Sequence, residues 1–403
     1  MRQTIIFSKA LLLLLFLSRL GYSQPNQLSE NAQIRIITVG PYQEELYSAF
    51  GHSGIRVYDP ANQIDDFYNY GVFDFDQPNF YLNFAKGYLN YRLAVMDYPR
   101  VKQYYIYQNR YIHEQVLNLI NEEKQELYHF LLWNAQPENM YYYYDYFYDN
   151  CATRIRDAME KTYGDSVVFD GSYVTTNYTI RDLTDLYLQE QPWGDLGIDL
   201  CLGLPMDRNA TPYMYMFLPD YVELAFDHAF IIRNGKKVPL VAETIVTYES
   251  KPQPSAASKI TPFYLFSLLA VIVIGFTYLG YRKKRHKKVF DVIWFTIIGL
   301  FGWFLFLLWT ATDHHAAAQN FNILWAIPLH FPVALFLLKK QIPRWVSYYF
   351  MVTSLLGGLT ILAWGWLPQD LHNAMIPLVV IIATRGYFIY NQTRSHARAA
   401  NGN

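Results

Sequence analysis

Cysteine is scarce in this chain: Cys151 and Cys201 are the two in 403 residues. Two thiols exclude a disulfide framework. A single bridge between them is compatible with an exported protein, and it would silence thiol chemistry apart from reversible redox control. Charge is scarce too. Charged residues make up 17% of the chain and the net charge is −1. That argues against nucleic acid as a partner, since a polyanion selects a basic surface. No cofactor is expected. Asp313-His314-His315 offers three polar residues in a loop, which is too little to define a metal site.

Apolar and aromatic side chains are plentiful, with 36 tyrosines and 27 phenylalanines, but unevenly spread. The first two thirds are polar and tyrosine-rich; the last third is strongly apolar. The length allows two or three domains.

Residues 1–23 read as a signal peptide. Arg2 and Lys9 make a basic start, residues 10–17 form a short apolar core, and Gly21-Tyr22-Ser23 offers small residues for cleavage before Gln24. The apolar core is shorter than the ~20 residues a membrane span needs.

Residues 24–258 read as one α+β extracytoplasmic domain. A strand is expected over 33–39, then a short helical or loop stretch to Ala49. Apolar-aromatic runs at 52–58 and 66–73 flank the turn signal Asp59-Pro60-Ala61-Asn62 and should pair as an antiparallel hairpin. Strands are expected over 89–98 and 101–107, broken at Pro99. A long amphipathic helix is expected over about 113–136. The tyrosine run 141–144 leads into a second helix that Cys151 opens, with Gly164 as its stop. Helices are expected over 178–189 and 212–227. A closing hairpin around Asn234-Gly235 joins 230–233 to 238–247, and 250–258 is a proline-containing linker.

Residues 259–403 read as an all-α membrane domain of five transmembrane helices, over about 262–281, 289–310, 321–338, 345–367 and 372–390. Lysine and arginine cluster at 281–288, 339–344 and 394–398, in alternate gaps; gaps 311–320 and 368–371 have none. Positive charge stays inside. The N-terminal domain and the 313–315 loop are therefore expected outside, and the C-terminus in the cytoplasm. The third span carries Pro328, His330 and Pro332. A histidine within a span either serves function or is satisfied by a neighbouring helix.

The candidate chemistry starts from Asp149-Asn150-Cys151. A cysteine in the first turn of a helix meets unpaired backbone N–H groups and the positive end of the dipole, and both favour thiolate. Arg154 and Arg156 could add to this, or could be a solvated face or an ion pair with Asp157. The thiol needs a base, and His52 in Phe50-Gly51-His52-Ser53-Gly54 is the best candidate, ahead of His113, His129 and His228. With the hairpin turn near residues 61–62, His52 falls roughly opposite residue 71. Asn69 or Tyr70 is then close to it, and strand alternation lets only one share its face. Asn69 is chosen as the group that orients the imidazole. A structural histidine, a capping amide and an inert buried thiol are the bland alternatives.

These motifs, with 68–75, 195–200 and 217–219, together resemble the Lnb-type N-terminal periplasmic domain. Thr312-Asp313-His314 and 320–325 resemble the transmembrane domain that accompanies it. The resemblance implies a papain-like, circularly permuted fold related to NlpC/P60 and lecithin:retinol acyltransferase enzymes. It implies lipoprotein N-acylation at the inner membrane, with Cys151 as nucleophile and His52 as base and acid. The implied partners are a phospholipid acyl donor and the α-amine of a diacylglyceryl-cysteine lipoprotein. A cysteine hydrolase (peptidase, cell-wall amidase or phospholipase) is the alternative enzyme, and a non-catalytic membrane sensor or assembly protein the alternative outside enzymes.

Overall fold

The structure is a computed structural model that describes residues 27–73, 77–252, 258–283 and 287–401. The expected signal peptide lies outside the described residues, as does most of the expected linker.

The N-terminal region is built on a seven-stranded antiparallel sheet. Its strands are β1 (Gln33–Val39), β2 (His52–Asp59), β3 (Ile64–Val72), β4 (Asn90–Asp97), β5 (Ile112–Leu117), β6 (Tyr141–Tyr143) and β10 (Val241–Tyr248), ordered β10-β5-β1-β2-β3-β4-β6. β7 (Val167–Val168), β8 (Phe230–Arg233) and β9 (Lys236–Pro239) form a small second sheet. Strand alternation splits the core. Ile34, Ile36, Ile55 and Val57 join one buried cluster, while Ile37, Val39 and Phe67 join another on the opposite face.

Helices cover both faces. In chain order they are α1 (Phe80–Lys86), α2 (Tyr98–Tyr107), α3 (Asn121–Asn134), α4 (Cys151–Tyr163), α5 (Ile180–Leu188), α6 (Pro192–Cys201), α7 (Pro212–Tyr215) and α8 (Pro219–Asp227). α4 buries Ile155, Ala158 and Met159 in the larger cluster. α2 buries Tyr98 and Tyr105 in the other.

Four expectations change. The strand expected over 101–107 is α2. Pro99 sits in its first turn, where a missing N–H costs nothing, and Asp97 caps it by accepting from the Arg100 N–H. The long helix expected over 113–136 divides into β5 and α3. β5 is an interior strand whose Glu114 is buried by hydrogen bonds from Arg56, Arg35 and Thr247. The expected hairpin partner 238–247 belongs to two sheets: β9 pairs with β8, and β10 crosses to β5. The helix expected over 212–227 is likewise two pieces, α7 and α8, the second restarting at Pro219.

The C-terminal region is helical: α9 (Pro262–Lys283), α10 (Lys288–Thr310), α11 (His330–Leu335), α12 (Arg344–Ala363) and α13 (Ile376–Asn401). Among the described residues, four helices are long and apolar enough to cross a membrane: Pro262–Lys283, Lys288–Thr310, Arg344–Trp366 and Asn373–Arg394. The third expected span is not a continuous helix. Its 321–338 stretch is a short turn at Phe321–Leu324, then α11, then another turn at Phe336–Leu338. Pro328 and Pro332 break it, since proline supplies no N–H to a helix interior. The broken backbone packs directly on α10 at Gly299 and Gly302, where any Cβ would collide with Phe331 N and Ala326 O.

This segment still runs the length of the bundle. At one end Asn320 Nδ2 donates to Leu200 O of the N-terminal region. At the other, Lys288 Nζ reaches Lys339 O at 3.3 Å. The N-terminal region docks on the end bearing turns 311–320 and 364–375. Asp313 N donates to Lys86 O at 2.9 Å, His314 Nε2 reaches Phe84 O at 3.2 Å, and Gln369 Nε2 donates to Leu202 O at 2.9 Å. His372 meets Asp195 at 3.1 Å. The 313–315 loop is thus part of the joint between the two regions.

Candidate active site

β2 opens at His52, straight after Gly51. Gly51 has φ +82° and its Cβ position lies 2.8 Å from Val39 O, so a side chain there is excluded sterically and conformationally. β2 and β3 pair with Ile55 opposite Tyr68, which continues to His52 opposite Gly71, the register expected from the turn. His52 Nε2 lies 2.8 Å from Asn69 Oδ1. An amide oxygen accepts, so Nε2 carries the hydrogen and Nδ1 is the basic nitrogen. The ring is held between Phe67 and Tyr105, at 6.4 and 6.3 Å between centroids.

The sheet bulges after Asn69, where the register against β4 shifts before Val72. Gly71 sits in the bulge at φ +86°, and a Cβ there would be 3.7 Å from Cys151 Cβ and 3.4 Å from the Tyr144 ring. The first turn of α4 therefore packs against β3 at ordinary van der Waals distance, and it is the positive φ that favours glycine here. Cys151 is that turn's first residue. Asn150 caps the helix by accepting from the Ala152 and Thr153 N–H groups, both at 2.9 Å, and Thr153 Oγ1 accepts from Asn150 N. Asn150 also donates to Phe217 O and Tyr146 O, tying the cap to two other loops.

Cys151 and Cys201 are both free thiols. Burial pushes the Cys151 thiol up, against the pull of the Ser53, Ala152 and Cys151 backbone N–H groups and of the Arg110 guanidinium. Burial pushes His52 down to about 4, and Arg110 adds to the effect, while the Asn69 hydrogen bond acts the other way. The resting pair is therefore thiol and neutral imidazole. Burial alone pushes Cys201 up to about 11, which leaves it with little thiolate.

The two arginines nearest in sequence are engaged elsewhere. Arg154 pairs with Asp149 and lies over the Tyr142 ring at 3.9 Å; Arg156 pairs with Asp157 at 2.7 Å. The cation that does act on the thiol, Arg110, comes from the turn between α2 and β5, and no motif around it advertised this. A cavity of about 180 Å³ is lined by His52, Asn69, Gly71, Phe73, Tyr105 and Arg110, with Glu45 and Tyr47 among its other walls. The other candidate histidines lie apart from this cavity. His113 binds Glu223 at 2.9 Å, His228 binds Leu224 O, and His129 binds Gln125. His330 is buried in the bundle, with Nδ1 2.9 Å from the Tyr349 hydroxyl and Nε2 3.3 Å from Trp325 O.

An imidazole oriented by an amide, next to a thiol at a helix start, defines the class: a candidate cysteine-enzyme site in a domain docked on membrane-spanning helices. Residues 24–185 match the family model of the Lnb N-terminal periplasmic domain, and residues 253–396 match that of the Lnb transmembrane domain. The chain belongs to the Lnb family. No curated protein and no solved structure matches it.

Proposed function

We propose that the chain is a thiol-dependent acyltransferase that N-acylates lipoproteins. The observation that carries this reading is the His52–Asn69 pair beside Cys151 in a domain fastened to the end of a membrane bundle. His52 Nδ1 takes the thiol proton as Sγ attacks an ester carbonyl of a phospholipid. Backbone N–H groups at the start of α4 stabilise the oxyanion. When the C–O bond breaks, His52 returns the proton to the leaving lysophospholipid. The α-amine of a diacylglyceryl-cysteine then attacks the thioester. The C–N bond forms, the C–S bond breaks, and the amine proton passes through His52 to the sulfur.

One feature of the fold supports a lipid substrate. α1 exposes Tyr81, Leu82 and Phe84 and is bonded to the turn that follows α10, which in this reading brings its apolar side near the bilayer. In this reading the domain is papain-like in permuted order, with the imidazole strand before the thiol helix. Residues 24–258 are periplasmic, released after a signal peptide of 1–23, and residues 259–403 anchor it. Lys288 and Lys339 lie at the bundle end away from the docked domain, which favours a cytoplasmic location for that end and for the C-terminus.

The test is mass spectrometry of lipoprotein N-terminal peptides from cells lacking the protein, complemented with wild type, Cys151→Ala or His52→Ala. The expected result is loss of the amide-linked chain, restored by wild type alone. Full N-acylation without the protein overturns the reading. Released wall peptides or free fatty acid that depend on Cys151 would then assign a hydrolase.

A further inference from the structure

Among the described residues, Arg110 is a buried cation with no carboxylate in ion-pair contact. The residue is 4% exposed. Nε donates to Gly40 O at 2.6 Å, and Nη1 reaches Gln108 Oε1 at 3.4 Å. Nη2 is buried with no hydrogen-bond partner among the described residues. Among the described residues no carboxylate lies within the 4.0 Å of an ion pair. Glu45, which lines the same cavity, makes none with it. The Tyr105 ring, 5.0 Å from the guanidinium carbon, covers one side.

Every other deeply buried arginine among the described residues has its carboxylate. Arg56 pairs with Glu114 and Asp65, Arg156 with Asp157, Arg181 with Asp199 and Asp207, and Arg385 with Asp291. An uncompensated buried charge is strongly unfavourable. A fold that satisfies the rest and leaves this one open, on the wall of the cavity beside His52, keeps it for an anion that arrives with the substrate.

We propose that Arg110 binds the phosphodiester of the acyl donor. The inference rests on the acyltransferase reading for what the donor is, but the anion site itself rests on the geometry. A guanidinium presents a fork of N–H donors that matches two phosphate oxygens. Held at Gly40 by Nε, Arg110 offers Nη2 and the weakly engaged Nη1 to that group. Its position fixes the headgroup at the Arg110 wall and leaves the ester carbonyl to reach the sulfur. A donor without phosphate loses this hold and leaves the cation unpaired.

The test reads binding without turnover. Full-length protein in detergent is alkylated with iodoacetamide, and modification of Cys151 is followed by peptide mass spectrometry. Dihexanoyl phosphatidylcholine, dihexanoylglycerol or inorganic phosphate is present as protectant. The slowing by each is compared within each variant, so an altered thiol reactivity cancels. Wild type is expected to bind the phospholipid roughly 10- to 100-fold more tightly than Arg110→Met does, the range of a charged hydrogen bond. Arg110→Lys should fall between. Dihexanoylglycerol should protect wild type and Arg110→Met alike.

Equal protection of wild type and Arg110→Met by the phospholipid overturns the proposal. Loss of protection by both lipids in Arg110→Met overturns it too, because the residue then only shapes the cavity. Protection by inorganic phosphate at the phospholipid's own concentration would make this a free-phosphate site and refute the lipid assignment. Selective, Arg110-dependent protection in a protein that transfers no acyl chain would uphold the anion site while defeating the acyltransferase reading.

Discussion

His52 and His330 are both held by hydrogen bonds among aromatic rings, one in the outer domain and one inside the membrane bundle. At His52, Asn69 occupies Nε2, and the ring lines a cavity. At His330, Tyr349 and Trp325 occupy both nitrogens, and Phe295 packs on the ring at 5.1 Å. Burial and a hydrogen bond are common to both. The two differ in hydrogen bonding: both nitrogens of His330 have partners, whereas among the described residues only the Nε2 contact to Asn69 is found at His52. Arg110 and Arg385 repeat the lesson. Arg385 bonds Asp291 through two parallel contacts of 2.7 Å and takes Thr277 as well, whereas Arg110 keeps a donor in reserve.

The largest expected effect is the difference between the two histidines. His52→Ala should lower acyl transfer by roughly 10²- to 10⁴-fold, the contribution of a general base. His330→Gln, which retains a donor and an acceptor, should stay within about threefold. Rates of transfer to a synthetic lipopeptide decide this, and a folded His330→Gln protein that is inactive would break the comparison.

Next in size is the bundle ion pair. Arg385→Met removes the guanidinium from the buried Asp291 carboxylate and should cost about 3–5 kcal/mol of stability. Adding Asp291→Asn should recover much of it. Thermal unfolding in detergent measures both, and a Tm unchanged by Arg385→Met would show that the pair is not what holds α9, α10 and α13 together.

Asn69→Ala should cost roughly 10- to 100-fold in kcat, as loss of a group that orients an imidazole does, with little change in KM. A variant losing only KM would mean that Asn69 touches substrate instead.

The smallest expected effect is in the pH profile. A His52 held at about 4, below the ordinary 6.5, is neutral across the physiological range. The acid limb of kcat/KM should therefore fall near pH 4. The sign for stability is the same: the unfolded chain takes up the proton first, so the stability linked to this group is full above about 6.5 and is lost as pH falls through 4. An acid limb at 6.5 would mean that His52 is more solvated than its surroundings imply.

Much of the site was legible because its determinants are local. The turn at 59–62 set the β2–β3 register, and with it the meeting of His52 and Asn69. Asn150 before Cys151 marked the start of a helix. β5 was harder to read. Its segment carries buried Glu114 and Gln115, so its polarity hides an interior strand whose charges are neutralised by other strands. α2 could have been found from Asp97 and Pro99, an N-cap followed by a first-turn proline, but its aromatic composition also suits a strand. The third span failed as a helix because hydropathy measures length and apolarity, and neither registers that prolines cut the segment or that Gly299 and Gly302 make room for the broken backbone.

The sequence by itself determined the two-part plan, four of the five expected spans, the hairpin register and the candidate thiol–imidazole–amide set, since each follows from residues close together along the chain. Only the tertiary structure decided which polar atoms have partners. It joined Arg154 and Arg156 to aspartates, closed both nitrogens of His330, and brought Arg110 to the cavity with a donor unpaired. The physical reason is that a hydrogen bond or ion pair depends on distance in space, and folding brings to each buried group neighbours that lie far away in sequence.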